Sequence, residues 1–439
     1  MICEEPRLFG YQTGGGWCEG FSWWSLTHAL PSAFRGDASG FQGIKNQMND
    51  SPDKLRVMAV FNLYPIYRRA LFDLLLDDTD IETTICIGKE PNIPSLAVVE
   101  GDVLRWYVEK KRLLVTRNVW IGKSFLWQKK VAWPNFYKGS DVVIHTGSIY
   151  QISTWFALVW CRLAGKRSLL WTHGLQRKEL GAKGFIRRLF YRLSNGLLLY
   201  GHRARELLID CGFDPDRLYV MYNSLDYQAQ KRLRNYVTKE DIAEYRSRFF
   251  DDPSLPLIIY VGRLTSEKHP LMLVELTDYM AKTGEPVNLI VIGEGPELPA
   301  MQDLIRQKHI EGCICLYGAC YEEKELAKLV KGADVAVVPA YVGLSAMHFM
   351  AYGIPVITSD DLKNQKPEVE AIVPGETGGF YRHGDIYSLA EQVSLWIKAV
   401  DSKTKERCIR KIEESYNPEI QVSVIKYACM GLPASKRPV

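Results

Sequence analysis

Two cations, Arg263 and Lys268, stand in a short loop that follows five unbroken apolar or aromatic residues, Leu257 to Val261, and precedes Pro270 and the largely apolar run Leu271 to Leu276. The quintet, with its β-branched members, reads as a strand buried on both faces, and Gly262 ends it. Pro270 suits the first turn of a helix. The N–H groups of a helix start have no partner within the helix and point back into the preceding loop. A strand end, a loop with two cations and a helix N-terminus therefore make an anion site, and the chemistry it suits is the grip of a phosphate group. The plain alternative is a solvated turn whose Arg and Lys face water.

Two later strand ends add to that signal. Gly293-Glu294-Gly295-Pro296 follows an apolar strand ending at Ile292 and opens a helix, as a backbone turn near a ligand would. Pro339 to Gly353 follows the strand Val335 to Val338, and Gly343-Leu344-Ser345-Ala346-Met347-His348 begins a helix whose first amides can hold a further phosphate oxygen. His348 lies about one helical turn inside, within reach of a ribose hydroxyl; a helical His is as often a satisfied structural residue. In the first half of the chain Trp171-Thr172-His173-Gly174 closes a strand, and a His at a strand terminus faces the crevice where open α/β sheets bind ligands.

The elements that must position these residues alternate between strand and helix. Strands read at 56–63, 81–88, 142–146, 169–172, 196–200 and 218–222, then again at 257–261, 287–292, 313–317, 334–338 and 355–358, with helical stretches between them. This predicts an α/β protein of two doubly wound Rossmann-like domains facing across a cleft, the first over 53–235 and the second over 257–400. A polar, Pro-containing link spans 236–256. A helical segment at 401–439 is free to pack back on the first domain. Residues 1–52, rich in Gly, Trp, Ser and Asn, read as a poorly ordered leader, and Trp17, Trp23 and Trp24 are a docking cluster in the alternative reading.

The order Gly262-Arg263, Lys268, Gly293-Glu294-Gly295-Pro296, then Pro339 to Gly353 with Pro355-Val356-Ile357, resembles the nucleotide-sugar half of the GT-B glycosyltransferases, in particular the family-4 retaining enzymes. The resemblance covers roughly residues 54 to 430, with strong motifs only in the second half. It implies that Arg263 and Lys268 bind a donor diphosphate, that Gly343 and Leu344 support the phosphates, and that the nucleobase sits near Gly293, Glu294 and Gly295. It implies a donor-sugar contact for His173 and no metal or other cofactor. The family usually sets two glutamates, with seven residues between them, around the last helix start; the matching positions here are Ala340 and His348. The first of these contacts the donor sugar in the family, and Glu370 is the acid downstream that can take over a hydroxyl contact. The loss leaves two readings: a retaining transferase with altered donor recognition, or a nucleotide-sugar-binding relative without turnover. A dinucleotide-dependent oxidoreductase is disfavoured, because no strand is followed by Gly-x-Gly-x-x-Gly with an acid about 20 residues on.

Composition is that of a soluble globular protein, with 47% hydrophobic and 24% charged residues over 439 positions. A net charge of +4 is small for this size and argues against nucleic acid as a partner. The ten cysteines lack zinc-site spacing and read as free thiols of a reducing compartment. No secretory signal and no spanning segment are evident, so the expected location is cytoplasmic. Basic and aromatic residues nevertheless gather at 105–138, and Lys183, Arg187, Arg188 and Arg192 alternate with Phe185, Leu189 and Phe190 at helical spacing. Such a surface suits the anionic inner face of a cell membrane, and with it a hydroxyl acceptor that is lipid-linked. The alternative is a helix that buries its apolar stripe in the domain.

Overall fold

A computed structural model describes residues 54–89, 98–110, 112–179 and 181–437; the leader read at 1–52 lies outside the described residues. The first sheet has eight strands: β1 (Leu55–Phe61), β2 (Ile81–Lys89), β3 (Leu113–Ile121), β4 (Phe125–Gln128), β5 (Val142–Thr146), β6 (Arg167–Thr172), β7 (Gly196–Leu199) and β8 (Leu218–Val220). Their order is β4-β3-β2-β1-β5-β6-β7-β8, parallel throughout except for the β3–β4 hairpin at one edge. Helices α1 (Arg69–Asp77), α2 (Gly101–Glu109), α3 (Ile152–Leu163), α4 (Gly181–Leu193) and α5 (His202–Ile209) connect them. The central strands are nearly continuous runs of Val, Ile, Leu and aromatics, as parallel strands covered on both faces must be.

Helices α6 (Tyr227–Tyr236) and α7 (Lys239–Phe249) lead into the second sheet, which is wholly parallel. It contains β9 (Leu257–Val261), β10 (Asn288–Ile292), β11 (Ile314–Gly318), β12 (Val335–Val338), β13 (Val356–Ser359) and β14 (Gly378–Tyr381), in the order β11-β10-β9-β12-β13-β14. Around it stand α8 (Leu271–Lys282), α9 (Leu298–Lys308), α10 (Glu323–Lys331), α11 (Leu344–Ala351) and α12 (Ile386–Ala399), followed by α13 (Ser402–Ser415) and α14 (Pro418–Cys429). Strand order reverses beside β1 in the first sheet and beside β9 in the second. At such switch points the loops leaving neighbouring strands diverge and open a crevice.

Two details differ from the reading of the sequence. The stretch 236–256, read as a link, carries α7, started by a capping box in which Thr238 and Asp241 exchange backbone and side-chain hydrogen bonds. Its Tyr245 is buried and donates to the Leu329 carbonyl at 3.2 Å, so the stretch is part of the second core. The basic segment 105–138 is not one surface: it divides into α2 and the β3–β4 hairpin, and Tyr107 is buried with its hydroxyl on Asp73. At the other end, α14 buries Val424, Ile425 and Ala428 in the core of the first domain. Arg167 donates to the Ala428 carbonyl at 2.8 Å and Tyr219 to that of Leu432 at 2.8 Å, which ties this last helix to the first sheet.

Candidate functional site

The loops that bracket the second switch point are those after β9 and β12, and the structure ties them together. Lys268 donates from Nζ to the Tyr341 carbonyl at 3.0 Å, and its ammonium stands 5.4 Å from the Tyr341 ring centroid. The tie joins the cationic loop to the residues that lead into α11. Gly343 is the N-cap of α11, and no side chain caps it, so the first amides of the helix face the loop. Leu344 is buried against the core and anchors that first turn.

Two glycines hold the cationic loop in place, and each is there because nothing larger fits. A Cβ on Gly293 would lie 1.8 Å from the Gly262 carbonyl oxygen, at a φ of +150° that side chains avoid. One on Gly295 would lie 2.2 Å from the Leu264 carbonyl oxygen. Across this close approach Gly262 donates to Ile292 at 3.0 Å, Leu264 to the Glu294 carbonyl at 2.9 Å, and Gly293 to Gly318 at 2.9 Å. Arg263 follows directly, half-buried, its carbonyl accepting the Tyr260 hydroxyl at 3.0 Å. The Gly-Glu-Gly turn thus fixes the backbone on both sides of Arg263, and Glu294 takes part through its main chain.

The position of the family's first glutamate is occupied by buried Ala340, and the space around it is closed by Gln365, which sequence reading did not single out. Buried Gln365 accepts from the Val342 amide at 2.8 Å and donates to the carbonyls of Ala340 and Ser359, each at 2.9 Å, with Thr358 Oγ1 at 3.1 Å. Both of its amide donors, and one acceptor site of its oxygen, fasten the loop after β12. His348 is buried at the contact between α11 and α6, where Gln230 Nε2 lies 3.0 Å from its Nδ1. An amide nitrogen can only donate, so Nδ1 accepts and the proton sits on Nε2, which is buried and has no partner in the structure. Burial pushes the ring pKa down to about 4, so His348 is neutral and offers one N–H where the family has a carboxylate.

His173 closes β6 and packs on Tyr200, ring centroids 4.6 Å apart and planes tilted by 44°. Its pKa is lowered to about 4, first by burial and then by Lys366 of the second domain and Arg68 of the first. The residue therefore lies where the two domains meet. Glu370, expected as a hydroxyl contact, is occupied otherwise: its two oxygens accept the amides of His202 at 2.7 Å and Arg203 at 2.8 Å, at the start of α5. A carboxylate from one domain caps a helix of the other, favoured by the helix dipole. Burial nonetheless raises the Glu370 pKa. Beside it, buried Glu368 accepts from Asn223 Nδ2 at 3.0 Å, and burial raises its pKa too.

A cavity of about 290 Å³ opens at the first switch point, between the ends of β1, β5 and β6, with His173 on its wall. On the outer face of this domain, α3 and α4 expose Phe156, Leu163, Phe185, Ile186 and Leu189 among Arg162, Lys183, Arg188 and Arg192. Gly184, Phe190 and Tyr191 are the buried side of α4. Among the described residues no helix is long and apolar enough to cross a membrane, and no group of three or more His, Cys, Asp or Glu is placed to hold a metal ion. The eight described cysteines carry free thiols.

Residues 241–415 match the family model for glycosyl transferases group 1. The chain is 23% identical to the alpha-D-kanosaminyltransferase of Streptomyces kanamyceticus over 173 residues, 38% of this chain and 43% of that protein. Its matches span between 18% and 66% of the length of its curated relatives. Among solved structures, HepE of Anabaena in complex with UDP superposes with a TM-score of 0.63 at 13% identity, covering 85% of this chain and 99% of that one. A glycosyltransferase from Rickettsia africae gives 0.63 at 15% identity, covering 86% and 99%. The paired doubly wound domains are the GT-B fold, and the match to the group 1 glycosyl transferase model falls over the second of them.

Proposed function

We propose that the chain is a retaining glycosyltransferase, moving a sugar from a nucleoside-diphosphate donor to a hydroxyl acceptor at an anionic membrane surface. The observation that carries this is the bond from Lys268 to the Tyr341 carbonyl, which locks the cationic loop against the start of α11 across the switch point. In the reaction the bond between the anomeric carbon and the diphosphate oxygen breaks, and its electron pair stays on that oxygen. Arg263, Lys268 and the amides of Gly343 and Leu344 are the groups that stabilise the charge, fixed in advance by the glycine crossing. The acceptor oxygen bonds to the face that the diphosphate leaves, and its proton passes to the departing phosphate oxygen. Neutral His173 holds the donor sugar, while His348, its ring turned to Gln230 and its Nε2 buried, braces α11 against α6 in place of the ribose contact. The test is a saturation-transfer NMR screen of nucleotide sugars on the full chain, followed by donor turnover in the presence of candidate acceptors. Binding that disappears in Arg263→Ala and Lys268→Ala supports the reading, and binding indifferent to both removes it.

The second reading, a nucleotide-sugar binder without turnover, is favoured by one observation: Ala340 brings no carboxylate and both donors of the Gln365 amide are taken by the carbonyls of Ala340 and Ser359. Donor binding with neither transfer nor hydrolysis across acceptors would decide for it. The membrane part is supported by the apolar and basic outer face of α3 and α4, whose Phe185, Ile186 and Leu189 are turned outward rather than into the core. Liposomes containing anionic lipid should retain the protein at low salt and release it at high salt, and indifference to lipid charge would leave a soluble acceptor.

A further inference from the structure

We infer that the acceptor is a lipid-linked saccharide: its sugar head enters the cavity at the first switch point, and its tail lies on an apolar stripe that leaves the cavity mouth over β4 and α3. The word acceptor rests on the transferase reading, the fit of a tailed saccharide on the cavity and the stripe alone. The β3–β4 hairpin divides its side chains between two faces. Trp120 pairs across the strands with Leu126, and both line the cavity. Strand side chains alternate, so the neighbouring pairs, Ile121 with Phe125 and Val119 with Trp127, share the opposite face. That face is apolar at all four positions. Ile121 is 52% and Phe125 45% exposed, a contiguous apolar surface of the kind that marks a binding site.

Two ring contacts extend the stripe in both directions. Phe125 meets Tyr150 edge-on with centroids 5.7 Å apart, and Tyr150 is itself on the cavity wall. Trp127 meets Phe156 in the same manner at 5.7 Å, and Phe156, Val159 and Leu163 follow one another on a single exposed face of α3. The stripe therefore runs about 7 Å along β4 and about 10 Å along α3, which suits an alkyl chain rather than a sugar. Arg162 on α3, with Arg188 and Arg192 on the adjoining α4, donates to the main-chain carbonyls of Arg192, Glu179 and Cys211 respectively, and carbonyls accept without neutralising the donor's charge. Cations beside an apolar stripe match the boundary of an anionic bilayer, the source of a tailed acceptor. At the head end, the cavity has the volume of a sugar-sized ligand, and the rings of Trp120 and Tyr150 suit the apolar face of a pyranose. Thr146 is on the same wall; its Oγ1 is buried without a hydrogen-bond partner among the described residues, and a sugar hydroxyl seated there supplies one.

The experiment uses the full chain, with UDP present and absent, and matched methyl and octyl hexosides of the gluco, galacto and manno series, the octyl probes kept below the concentration at which they form micelles. Binding is read by ligand-observed NMR. At least one octyl hexoside should bind about 10-fold or more tighter than its methyl partner, an advantage that high salt does not remove because the added contact is apolar. Phe125→Ser and Phe156→Ser, both at exposed positions, should each lower the advantage several-fold and together abolish most of it, leaving the methyl probe unchanged. Thr146→Val removes the hydroxyl at nearly constant volume and should weaken both members of the pair alike. Leu395→Ser, at an exposed apolar position of α12 in the second domain, controls for adsorption to any apolar surface and should change nothing. Three results overturn the inference: no octyl probe binds better than its methyl partner, the advantage survives the Phe125→Ser and Phe156→Ser double variant, or Leu395→Ser lowers it as much. A chain that binds no nucleotide sugar yet keeps the tail advantage counts against the transferase reading and leaves the tailed-saccharide site standing.

Discussion

Replacing Gly293 by Ala tests whether the turn after β10 is what aims the cationic loop. The new Cβ would lie 1.8 Å from the Gly262 carbonyl oxygen, where about 3 Å is the closest approach side chains make, so the ends of β9 and β10 must part by more than about 1 Å. That movement breaks or stretches the bonds from Gly262 to Ile292 and from Leu264 to Glu294, at roughly 1 kcal/mol each. The φ of +150° adds about 1–3 kcal/mol of strain for a residue with a side chain. The expected loss is about 3–5 kcal/mol, which for domains of this size lowers the melting temperature by roughly 6–20 °C. Donor affinity should fall at least about 10-fold in the fraction that stays folded, because Arg263 moves with the strand end. Gly284→Ala is the control: it also has positive φ, +82°, but its Cβ meets nothing within 4 Å, so only about 1 kcal/mol of strain is expected and donor binding should not change. Thermal unfolding and nucleotide-sugar titration of the two variants side by side make the measurement. If Gly293→Ala loses stability yet binds donor as before, the crossing is scaffold only and the phosphate grip lies elsewhere.

Three further outcomes follow from the same geometry. Lys268→Ala should weaken donor binding by about 10- to 100-fold, the range for losing one charge-assisted hydrogen bond, while the melting temperature changes by only a few degrees, since the side chain is partly exposed; equal donor affinity in titration would refute its role. Glu370→Ala leaves the amides of His202 and Arg203 without their acceptor at a buried interface, which costs about 2–4 kcal/mol of interdomain docking; small-angle scattering should report a more open molecule, and turnover should fall more than donor binding. Burial raises the pKa of both Glu368 and Glu370 above the ordinary value near 4.5, so between that value and the raised one the folded chain binds more protons than the unfolded chain. Stability must then fall as pH rises through that window, the neutral acids being the favoured forms. Glu368→Gln keeps an acceptor for Asn223 and removes one of the two titrations, so it should raise the melting temperature more at pH 8 than at pH 5; a gain confined to pH 5 would reverse the assignment.

The central strands were legible because parallel strands covered on both faces are written as unbroken apolar runs, and Leu257–Val261 is the clearest of them. What stayed hidden was hidden for physical reasons. Strand β14 opens with Gly378 and Gly379, poor strand formers, because a Cβ at 378 would lie 2.0 Å from the Val356 carbonyl oxygen; close packing erased the propensity signal. Strand β3 carries Arg117 and Asn118 within its span, and the charge drew attention to its surface rather than its pairing. Helix α7 was read as linker from its polar composition, although Thr238 and Asp241 spell a capping box. At the site, Arg263, Lys268 and the Gly-Glu-Gly turn were readable because loops at strand ends draw on neighbouring segments. Gln365, Gln230 and Lys366 act across 25, 118 and, through His173, nearly 200 positions of chain, and nothing local marks them. Arg68 was within reach of the same strand-end rule that found His173, since it follows β1 at the switch point.

The absent glutamate at 340 and the positive surroundings of His173 bear on one another. A carboxylate at 340 would bring acceptor oxygens to sugar hydroxyls from within the second domain, so donor recognition could be complete before the domains meet. Here that loop is closed by Gln365, and the polar groups around the adjoining gap include His173 and Gln176 from the first domain and Lys366 from the second. On the proposed reading, recognition of the transferred sugar would then depend on both domains at once, and the grip on the diphosphate on Arg263 and Lys268 of the second domain. The contact that keeps His173 and Lys366 facing each other is the cap of α5 by Glu370, a few residues from Lys366 in the same loop. If that reading holds, binding of the nucleotide and selection of its sugar are separated in space, and weakening the Glu370 contact should impair the second more than the first.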